Sequence, residues 1–536
     1  MTIPSGIRTA RITRTALAGG AAAILAVALA ACGTGGGARV AVSKAPVNGV
    51  LQLGFLTDPG QPPDPDVYYA GSGLALTTNI YQGLVQYADG GSSAILPDLA
   101  TSWSVNKTNT VFTFHLRHGV TFHDGTPFTS AAVQASFERR LAVNGGPAYM
   151  AEGVKSFATP DKYTSVITLD QPNSAFLAEL ASAYGVKMMS PAGLKAHAGK
   201  DHDQTYLQTH DLGTGPYTLT QAVVDNHYQL KAYPGYWGPK PAFTTVDFTV
   251  YQDSSAEQLA LNNGTLAAII GSVPSSAQAA YVKSKSLKSY ALPSFQVGVF
   301  YMNPNRPFMK TAAARTALFD GIDWKSIIKE IVPESDVPAT SAYSDGSVPA
   351  SAAPVSTAYD PAALKKYVAT LPKGTAVNIG VEQGSDDDAK ISNLIAAQLQ
   401  ALGLKATVNT YTTSQVFGTF PAKPATAPDI MVSSSTWPDA SSPYLYGHVF
   451  WDPTGGLNFL QCSDPTITSD LAAGLKTGDR RDYTAAAKAE QQAMCTPIFA
   501  YARDFVVTQP WLSGVAQAHS VAAPYTLNFD KLTISK

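Results

Sequence analysis

The chain contains few charged residues and few cysteines. Only 14% of its 536 residues are Asp, Glu, Lys or Arg, against about 25% in average soluble domains. Its 37 basic residues are outnumbered by 39 acidic ones. This balance excludes a nucleic-acid-binding protein that depends on phosphate contacts, because such a protein needs a basic excess or a basic stripe. Three cysteines exclude a disulfide-dense scaffold.

Aromatic residues and regular hydrophobic patterns are present instead. Six Trp, 25 Tyr and 21 Phe exclude a disordered chain, and the length predicts two or three domains. Alternating runs predict strands at 50–55, 110–116 and 405–411, and helical patterns predict helices at 129–140 and 387–402. Strands and helices mixed throughout the chain indicate an α/β or α+β protein of several lobes.

The segment 337–357 lacks any hydrophobic period and is rich in Pro, Ser and Ala. We therefore predict a surface loop there.

Residues 1–31 have the features of an export signal. Arginines and no acidic residues precede an apolar run from about 15 to 31, which is the pattern of a secretory signal peptide. The run ends in Leu-Ala-Ala before Cys32, and this resembles the lipobox of bacterial lipoproteins, in which the cysteine is acylated. An uncleaved membrane anchor is the alternative, because the apolar run from about 15 to 31 is nearly as long as the roughly 20 apolar residues that a membrane span needs.

Processing at Cys32 predicts an extracytoplasmic protein that a lipid anchors to the outer face of the cell membrane. The glycine-rich stretch that follows predicts a flexible tether over residues 32–47. Cys462 and Cys495 are then the remaining cysteines, and an oxidising compartment favours a disulfide between them. Two buried free thiols are the alternative.

Four groups of motifs follow one another along the chain. The first includes Leu-Pro-Asp-Leu-Ala and His-Asp-Gly-Thr-Pro, the second Gly-Thr-Gly-Pro-Tyr and Tyr-Trp-Gly, and the last Tyr-Asp-Pro. They lie at 96–103 with 112–128, at 213–217 with 236–238, at 299–323, and at 359–361. Together they resemble the extracytoplasmic solute-binding proteins of the peptide and nickel class of ABC importers, known as bacterial solute-binding protein family 5.

The resemblance implies an α/β fold of the periplasmic-binding-protein-like kind (type II, class C), a two-lobed clamshell with an extra inserted lobe that closes at a hinge. It also implies a discontinuous domain I, an inserted domain II and a domain III. We assign domain I to residues 48–88, 207–297 and 501–536, domain II to 89–206, and domain III to 298–500.

The function implied by the resemblance is capture of a dipeptide or oligopeptide between two lobes and its delivery to a membrane permease. The protein would act as a monomer without a cofactor, and ATP hydrolysis would belong to a separate ATPase subunit. Three alternatives remain open: an oligosaccharide or other amphipathic solute, a nickel complex, and a sensor that serves no transporter.

The segment 433–446 resembles the family stretch in which an Asp pairs with the amino terminus of a peptide. Asp439 is its only carboxylate, and Ser442 precedes Pro443 where the family has an acidic residue. Either Asp439 holds a ligand ammonium, or it only initiates a turn with Ser441. Together with Asp439, the residues that we expect to line the cleft are Tyr68, Tyr69, Tyr301, Asn303, Trp437, Tyr444 and Tyr446.

Two further patterns suggest other chemistry and are weak. His115, His118 and His123 share one stretch without ligand spacing, so we predict no metal site. The S-x-x-K at 104–107 and the K-T-G at 476–478 occur in serine acyl-transferases. Such an enzyme needs the first on a helix and the second on a strand, whereas we expect a hairpin turn and a helix end. We therefore predict that the protein is not an enzyme.

Overall fold

The computed structural model of the protein describes residues 44–90, 92–271, 273–348, 351–356 and 358–535. The predicted signal peptide and the predicted lipid-carrying Cys32 lie outside the described residues. Within those ranges, no helix combines the length and the apolar character that crossing a membrane requires.

Strands and helices alternate along the described chain. The strands are β1 (Val50–Leu56), β2 (Val85–Tyr87), β3 (Ile95–Pro97), β4 (Ala100–Val105), β5 (Val111–Leu116), β6 (Val154–Asp161), β7 (Thr164–Leu169), β8 (Tyr217–Val223), β9 (His227–Ala232), β10 (Thr245–Tyr251), β11 (Ala268–Ile269), β12 (Lys288–Leu292), β13 (Val297–Met302), β14 (Val337–Pro338), β15 (Ala376–Glu382), β16 (Lys405–Tyr411), β17 (Ile430–Thr436), β18 (Ile498–Tyr501), β19 (Asp504–Thr508), β20 (Leu512–Ser513) and β21 (Thr533–Ile534).

The α-helices lie between these strands and cover the sheets. They are α1 (Leu74–Ile80), α2 (Ser130–Val143), α3 (Phe176–Ala181), α4 (Pro191–His197), α5 (Ser254–Asn262), α6 (Ser275–Val282), α7 (Ala312–Asp320), α8 (Trp324–Ile331), α9 (Pro361–Val368), α10 (Asp386–Ala401), α11 (Phe420–Ala422), α12 (Pro443–Trp451), α13 (Pro465–Thr477), α14 (Arg480–Ala493) and α15 (Val515–Ala518).

Sheet I has the strand order β12-β19-β11-β1-β10-β9-β8. Strand β1 pairs in parallel with β10 and β11, and the other neighbours are antiparallel. Leu51, Leu53 and Phe55 of β1 are buried, and the Phe55 ring stacks on Phe248 with centroids 4.4 Å apart. The apolar alternation that predicted this strand therefore faces the core.

Sheet II has the antiparallel order β4-β5-β7-β6. Strand β5 confirms the strand predicted at 110–116, and its Phe112, Phe114 and Leu116 point into one core. Helix α2 confirms the helix predicted at 129–140 and buries Phe137 in the same core.

Sheet III has the order β14-β18-β13-β17-β15-β16. Strand β15 is parallel to β16 and β17, and the remaining pairs are antiparallel. Helix α10 confirms the helix predicted at 387–402, and Ile391, Ile395 and Leu399, four residues apart, are buried on its inner face. Strand β16 has the bounds predicted from its alternation.

The prediction of a surface loop at 337–357 is wrong. Its described residues begin with the short strand β14, and Tyr343 and Ala353 are fully buried in the core beside sheet III. The Tyr343 hydroxyl donates to the carbonyl of Tyr483 at 2.7 Å. The segment is irregular and has no period, but its small residues and one tyrosine pack against the sheet.

Two chain segments connect sheet I with sheet III, one between β12 and β13 and the other between β18 and β19. Gln296 lies in the first segment, and its Nε2 donates to Oδ1 of Asp504 at 2.5 Å. The backbone N–H of Ala502, in the second segment, donates to the carbonyl of Gln296 at 3.1 Å. The segments therefore run side by side, as in proteins whose two lobes move at a hinge.

A disulfide joins two parts of the helical layer beside sheet III. The sulfur atoms of Cys462, before α13, and Cys495, after α14, are bonded, and both residues are buried. Of the two alternatives that the sequence left open, the structure adopts the paired one.

Candidate binding site

A buried arginine holds together three loops that border the site. Arg140, on α2, is fully buried, and its Nε donates to Oδ1 of Asp66 at 2.5 Å. Its Nη1 donates to the carbonyls of Pro147, at 3.0 Å, and Tyr184, at 2.9 Å, while Nη2 donates to that of Pro65 at 3.0 Å. One guanidinium thus satisfies carbonyls from segments that lie far apart in sequence.

The neighbouring Arg139 completes this clamp. Its Nη1 donates to Oδ1 of Asp64 at 2.9 Å and to Oδ2 of Asp66 at 2.5 Å, and Nη2 donates to Oδ2 of Asp64 at 2.6 Å. Burial raises the pKa of Asp64, and the hydrogen bond and charge of Arg139 act in the opposite direction. Asp203 Oδ2 also lies 4.0 Å from Arg139 Nε, so each buried ion of the clamp has an opposite charge beside it, as burial of ions requires.

Each loop held by the clamp carries a tyrosine near one point in space. Tyr69 follows Asp66, Tyr149 follows Pro147, and Tyr184 accepts from Arg140 through its own carbonyl. Glycines permit the close approach, because a Cβ on Gly146 would lie 2.5 Å from the Tyr69 ring. The rings of Tyr69 and Tyr184 meet edge to face with centroids 4.9 Å apart.

Asp439 lies at this point, three residues beyond the end of β17. Its Oδ2 accepts a hydrogen bond from the Tyr69 hydroxyl at 2.5 Å and a second from the Tyr149 hydroxyl. The Ser182 hydroxyl donates to its backbone carbonyl. The carboxylate therefore joins sheet III to loops beside sheets I and II.

Among the described residues, the carboxylate of Asp439 has no positive partner. The residue is only 6% exposed, and burial raises its pKa, while the hydrogen bonds from Tyr149 and Tyr69 lower it. Within the described ranges, no side chain forms an ion pair with it, and no group donates to its Oδ1. A buried carboxylate of this kind is suited to hold a cation supplied from outside the protein.

Asp439 does not serve as a turn initiator. The backbone N–H and the hydroxyl of Ser441 donate to the hydroxyl of Tyr87 at 3.0 and 3.2 Å, respectively, rather than to the Asp439 carboxylate. The hypothesis that Asp439 only starts a turn with Ser441 is therefore wrong.

Aromatic and polar side chains surround this carboxylate. Tyr69 is 38% exposed, although its hydroxyl is directed inward, and Trp437 meets Tyr525 edge to face with centroids 5.8 Å apart. The Tyr525 hydroxyl donates to Oε1 of Gln296 at 2.7 Å, and it lies 2.9 Å from the hydroxyl of Ser435. The site thus combines ring surfaces with hydroxyl groups, as small-molecule sites generally do.

Four of the residues expected in the cleft are near one another. Tyr69, Trp437 and Asp439 border the site, and Tyr68 packs behind it with Trp437 and Tyr184. The Tyr68 hydroxyl accepts from the backbone N–H of Gly73 at 2.5 Å, and burial raises its pKa to about 12.

The structure places the other four expected residues within the fold around sheet III. Tyr301 and Tyr446 are fully buried in its core. Asn303 donates to the carbonyls of Pro424 and Pro428 at 2.8 and 3.0 Å, which commits both of its amide hydrogens to a loop. Tyr444 stacks on His448 with centroids 5.7 Å apart. The structure does not bring these four to the Asp439 carboxylate.

Sequence reasoning missed Tyr149, Tyr184 and Tyr525. The first two lie outside any recognised motif, and Tyr525 is near the carboxyl terminus. The signal for Tyr149 was the Gly-Gly-Pro that precedes it, because Gly145 and Gly146 approach Asp66 and Tyr69 too closely for a side chain. Nothing local in the sequence signalled Tyr184 or Tyr525.

His118 and His123 have separate partners. His118 stacks on Tyr163 with centroids 3.8 Å apart, and His123 contacts Asp211 and, at 2.9 Å, the carbonyl of Gly215. Among the residues that the structure describes, no group of three or more His, Cys, Asp or Glu is arranged to hold a metal ion.

The two enzyme-like motifs have structural roles. Ser104 lies on β4, and Asn106 closes the hairpin to β5 by accepting the backbone N–H of Thr110 and Val111 at 2.9 and 3.1 Å. The K-T-G ends helix α13, where Gly478 adopts a φ of 73°. Neither motif has the geometry of a serine acyl-transferase.

Comparison with known proteins shows which family and which proteins this chain resembles. The chain matches the model of the bacterial extracellular solute-binding proteins, family 5 (middle), over residues 94–458. It is 32% identical over 286 residues to the "Probable D,D-dipeptide-binding periplasmic protein DdpA" of Escherichia coli, which is 53% of this chain and 55% of that protein. The alignment thus spans about half of that relative's length.

A second relative is aligned over more of its length. The chain is 28% identical over 426 residues to the glutathione-binding protein GsiB of Salmonella paratyphi A, which is 76% of this chain and 80% of that protein. The fold resembles that of the ABC transporter-associated periplasmic binding protein DppA from Helicobacter pylori in complex with peptide STSA. The TM-score is 0.74 at 21% identity, covering 91% of this chain and 98% of that chain. This likeness confirms the predicted periplasmic-binding-protein-like fold.

Proposed function

Because the chain belongs to the bacterial extracellular solute-binding proteins of family 5, we propose that it is the solute-binding component of an ABC importer. In this role it captures a dipeptide or oligopeptide at the Asp439 site and delivers it to a permease that works with a separate ATPase. The names of two relatives support a peptide-like ligand, because one is named for D,D-dipeptides and the other for glutathione.

The observation that carries the proposal is the buried carboxylate of Asp439 without a positive partner. Two tyrosine hydroxyls fix Oδ2 and leave Oδ1 free to accept from the ammonium of a peptide. A charge-assisted hydrogen bond in a water-poor site is among the stronger polar contacts. Trp437 and Tyr525 supply apolar surface for the rest of the ligand.

The predicted division into domains is part of this proposal. The strands of sheet I fall in the ranges predicted for domain I, those of sheet II in domain II, and those of sheet III in domain III. Only Val297 and Tyr501, at strand ends, cross the predicted limits by one residue. This distribution supports closure of domains I and III over the ligand, with Asp439 brought in by sheet III.

The predicted lipid anchor on Cys32 completes the proposal. It would keep the binding protein at the outer face of the membrane, beside the permease that receives the ligand.

The test is calorimetry on the full-length protein in detergent. The probes are L-Ala-L-Leu, D-Ala-D-Ala and glutathione, each paired with its N-acetylated form. We expect at least one free-amine probe to bind, and acetylation or Asp439→Asn to weaken it by about 100-fold. Asp386→Asn, at an exposed carboxylate on α10, is the matched control and should retain full affinity.

Two results would overturn the proposal. One is equal affinity for free and acetylated probes. The other is co-purification of an amine-free solute, such as an oligosaccharide, whose binding does not change in Asp439→Asn.

A further inference from the structure

A cavity of ≈ 470 Å³ lies beside β2, among the segments at 78–83, 181–187, 236–239 and 520–531. This volume falls within the range of about 300–1,000 Å³ that small-molecule sites occupy. None of the side chains that contact the Asp439 carboxylate lines it, and Ala183 and Ala523 form part of the wall that faces Tyr184 and Trp437. The cavity is therefore separate from the candidate peptide site.

Two buried groups of opposite charge line this cavity. Asp98 and Lys187 are both less than a tenth exposed. The other charged residues of the lining, Asp530 and Lys531, are more exposed, and Lys531 pairs with Asp89. Lys187 Nζ donates to the carbonyl of Ser182 at 2.9 Å, and Asp98 Oδ1 accepts from Nε2 of Gln82 at 2.6 Å. In the part of the chain that the structure describes, neither charge forms an ion pair with the other or with a third residue.

The surroundings of Asp98 hold it in a fixed orientation. Gln82 is oriented by two donors to its Oε1, the indole N–H of Trp237 at 3.0 Å and the hydroxyl of Thr214 at 3.1 Å. Its amide hydrogens are therefore directed toward Asp98. The Cζ of Arg117 lies 3.8 Å from the centroid of the Trp237 ring, and the Arg117 guanidinium donates to the backbone carbonyl of Asp98.

The electrostatics of the two groups match this geometry. Burial raises the pKa of Asp98 to about 7, and the charges of Lys187 and Arg117 only partly offset it. Burial lowers the pKa of Lys187 to about 8, and Asp98 acts in the opposite direction. Each group is short of the opposite charge that would restore its ordinary pKa.

We propose that this cavity binds a free amino acid as a zwitterion. The ligand ammonium pairs with Asp98, the ligand carboxylate pairs with Lys187, and the ligand side chain lies against Tyr236 and Trp237. A simple anion or a simple cation would satisfy one of the two buried charges and leave the other without a partner. A zwitterion of amino-acid size satisfies both.

The probe is L-leucine, measured by calorimetry on the full-length Asp439→Asn protein. This background removes capture of an amine at the peptide site, so that the signal comes from elsewhere. The comparison ligands are 4-methylpentanoate, which is leucine without the amine, and 3-methylbutylamine, which is leucine without the carboxylate. We expect leucine to bind and each analogue to bind at least about 10-fold more weakly.

Variants of the cavity locate the binding. Lys187→Met and Asp98→Asn, each added to Asp439→Asn, should abolish leucine binding. Lys195→Met, at an exposed lysine of α4, should leave it unchanged. At pH 7, leucine should release protons, because its ammonium favours the ionised form of Asp98. Titrations in phosphate and in Tris buffer measure that release.

Absence of leucine binding in Asp439→Asn would overturn the proposal, as would equal affinity for leucine and its two analogues. Leucine binding that survives both Lys187→Met and Asp98→Asn would also overturn it. If those variants fail to fold, the comparison of the three ligands on the Asp439→Asn protein still decides. None of these results bears on peptide capture by Asp439, which the acetylated probes test independently.

Discussion

The clamp around Arg140 and the Asp439 site both contain buried carboxylates, and the two regions differ in how that charge is balanced. Asp64 and Asp66 meet two guanidiniums at 2.5–2.9 Å. In the described part of the chain, Asp439 meets only tyrosine hydroxyls at its carboxylate and a serine hydroxyl at its backbone carbonyl. A balanced buried charge belongs to the architecture, whereas an unbalanced one is costly unless a ligand completes it.

The clamp also supports the Asp439 site. The clamp fixes the loops that carry Tyr69, Tyr149 and Tyr184, and these tyrosines fix the carboxylate and its surroundings. Stability is thus concentrated in one region and recognition in the other. Substitutions that separate the two properties test this division.

The largest effect is expected from Arg140→Met. Removing one partner of a buried ionic network leaves Asp66 without its full compensation and four carbonyls without the Arg140 donor, which should cost about 3–5 kcal/mol in the free energy of unfolding. Ligand affinity should fall with it, because the tyrosine loops lose their common support. Urea unfolding and calorimetry measure the two losses.

Arg117→Met is the control for that substitution. Arg117 stacks on Trp237 and belongs to no buried ion pair in the described residues, so peptide affinity should be retained. Wild-type stability in Arg140→Met would show that the clamp does not organise these loops.

The second prediction contrasts two isosteric changes. Asp66→Asn should destabilise the protein by about 3–5 kcal/mol, because it leaves Arg140 buried without a carboxylate. Asp439→Asn should instead raise the free energy of unfolding at pH 8 by about 1 kcal/mol, because it removes a buried charge that has no counter-ion. If both variants lose the same stability in urea, Asp439 is part of the architecture and the contrast fails.

Elements that depend on a local pattern could be predicted from the sequence, whereas packing between distant segments could not. The strand β16 and the helix α10 follow from periodicity within their own residues, because a side of each is buried against a neighbour. The segment 337–357 has no period, so nothing local distinguished buried Tyr343 and Ala353 from a surface loop. Packing by an irregular segment is a tertiary property that no local pattern encodes.

The same limit explains the mixed outcome at the site. Asp439 was predicted from a motif, and in the structure the Tyr69 hydroxyl donates to its carboxylate while Trp437 packs beside Tyr184. Tyr149 and Tyr184 reach the site on two loops whose carbonyls Arg140 binds. Partners joined by one buried guanidinium have no fixed spacing in sequence.

A smaller loss of affinity than in Asp439→Asn is expected from Tyr149→Phe. This change removes one of the two hydroxyl donors that favour the ionised form of Asp439. A hydrogen bond to a charged group is worth about 1.5 kcal/mol, so peptide affinity at pH 7 should fall by at most about 10-fold.

The pH dependence distinguishes this role from simple packing. In the free protein, burial raises the pKa of Asp439 and the Tyr149 hydrogen bond lowers it. Loss of that bond raises the pKa further, while the ligand ammonium binds only the ionised carboxylate. Affinity therefore falls as the pH decreases, and in Tyr149→Phe the decline should begin at a higher pH than in the wild type.

Tyr163→Phe, beside His118, should follow the wild-type profile. An unchanged pH profile in Tyr149→Phe would mean that the Tyr149 hydroxyl does not lower the pKa of the Asp439 carboxylate.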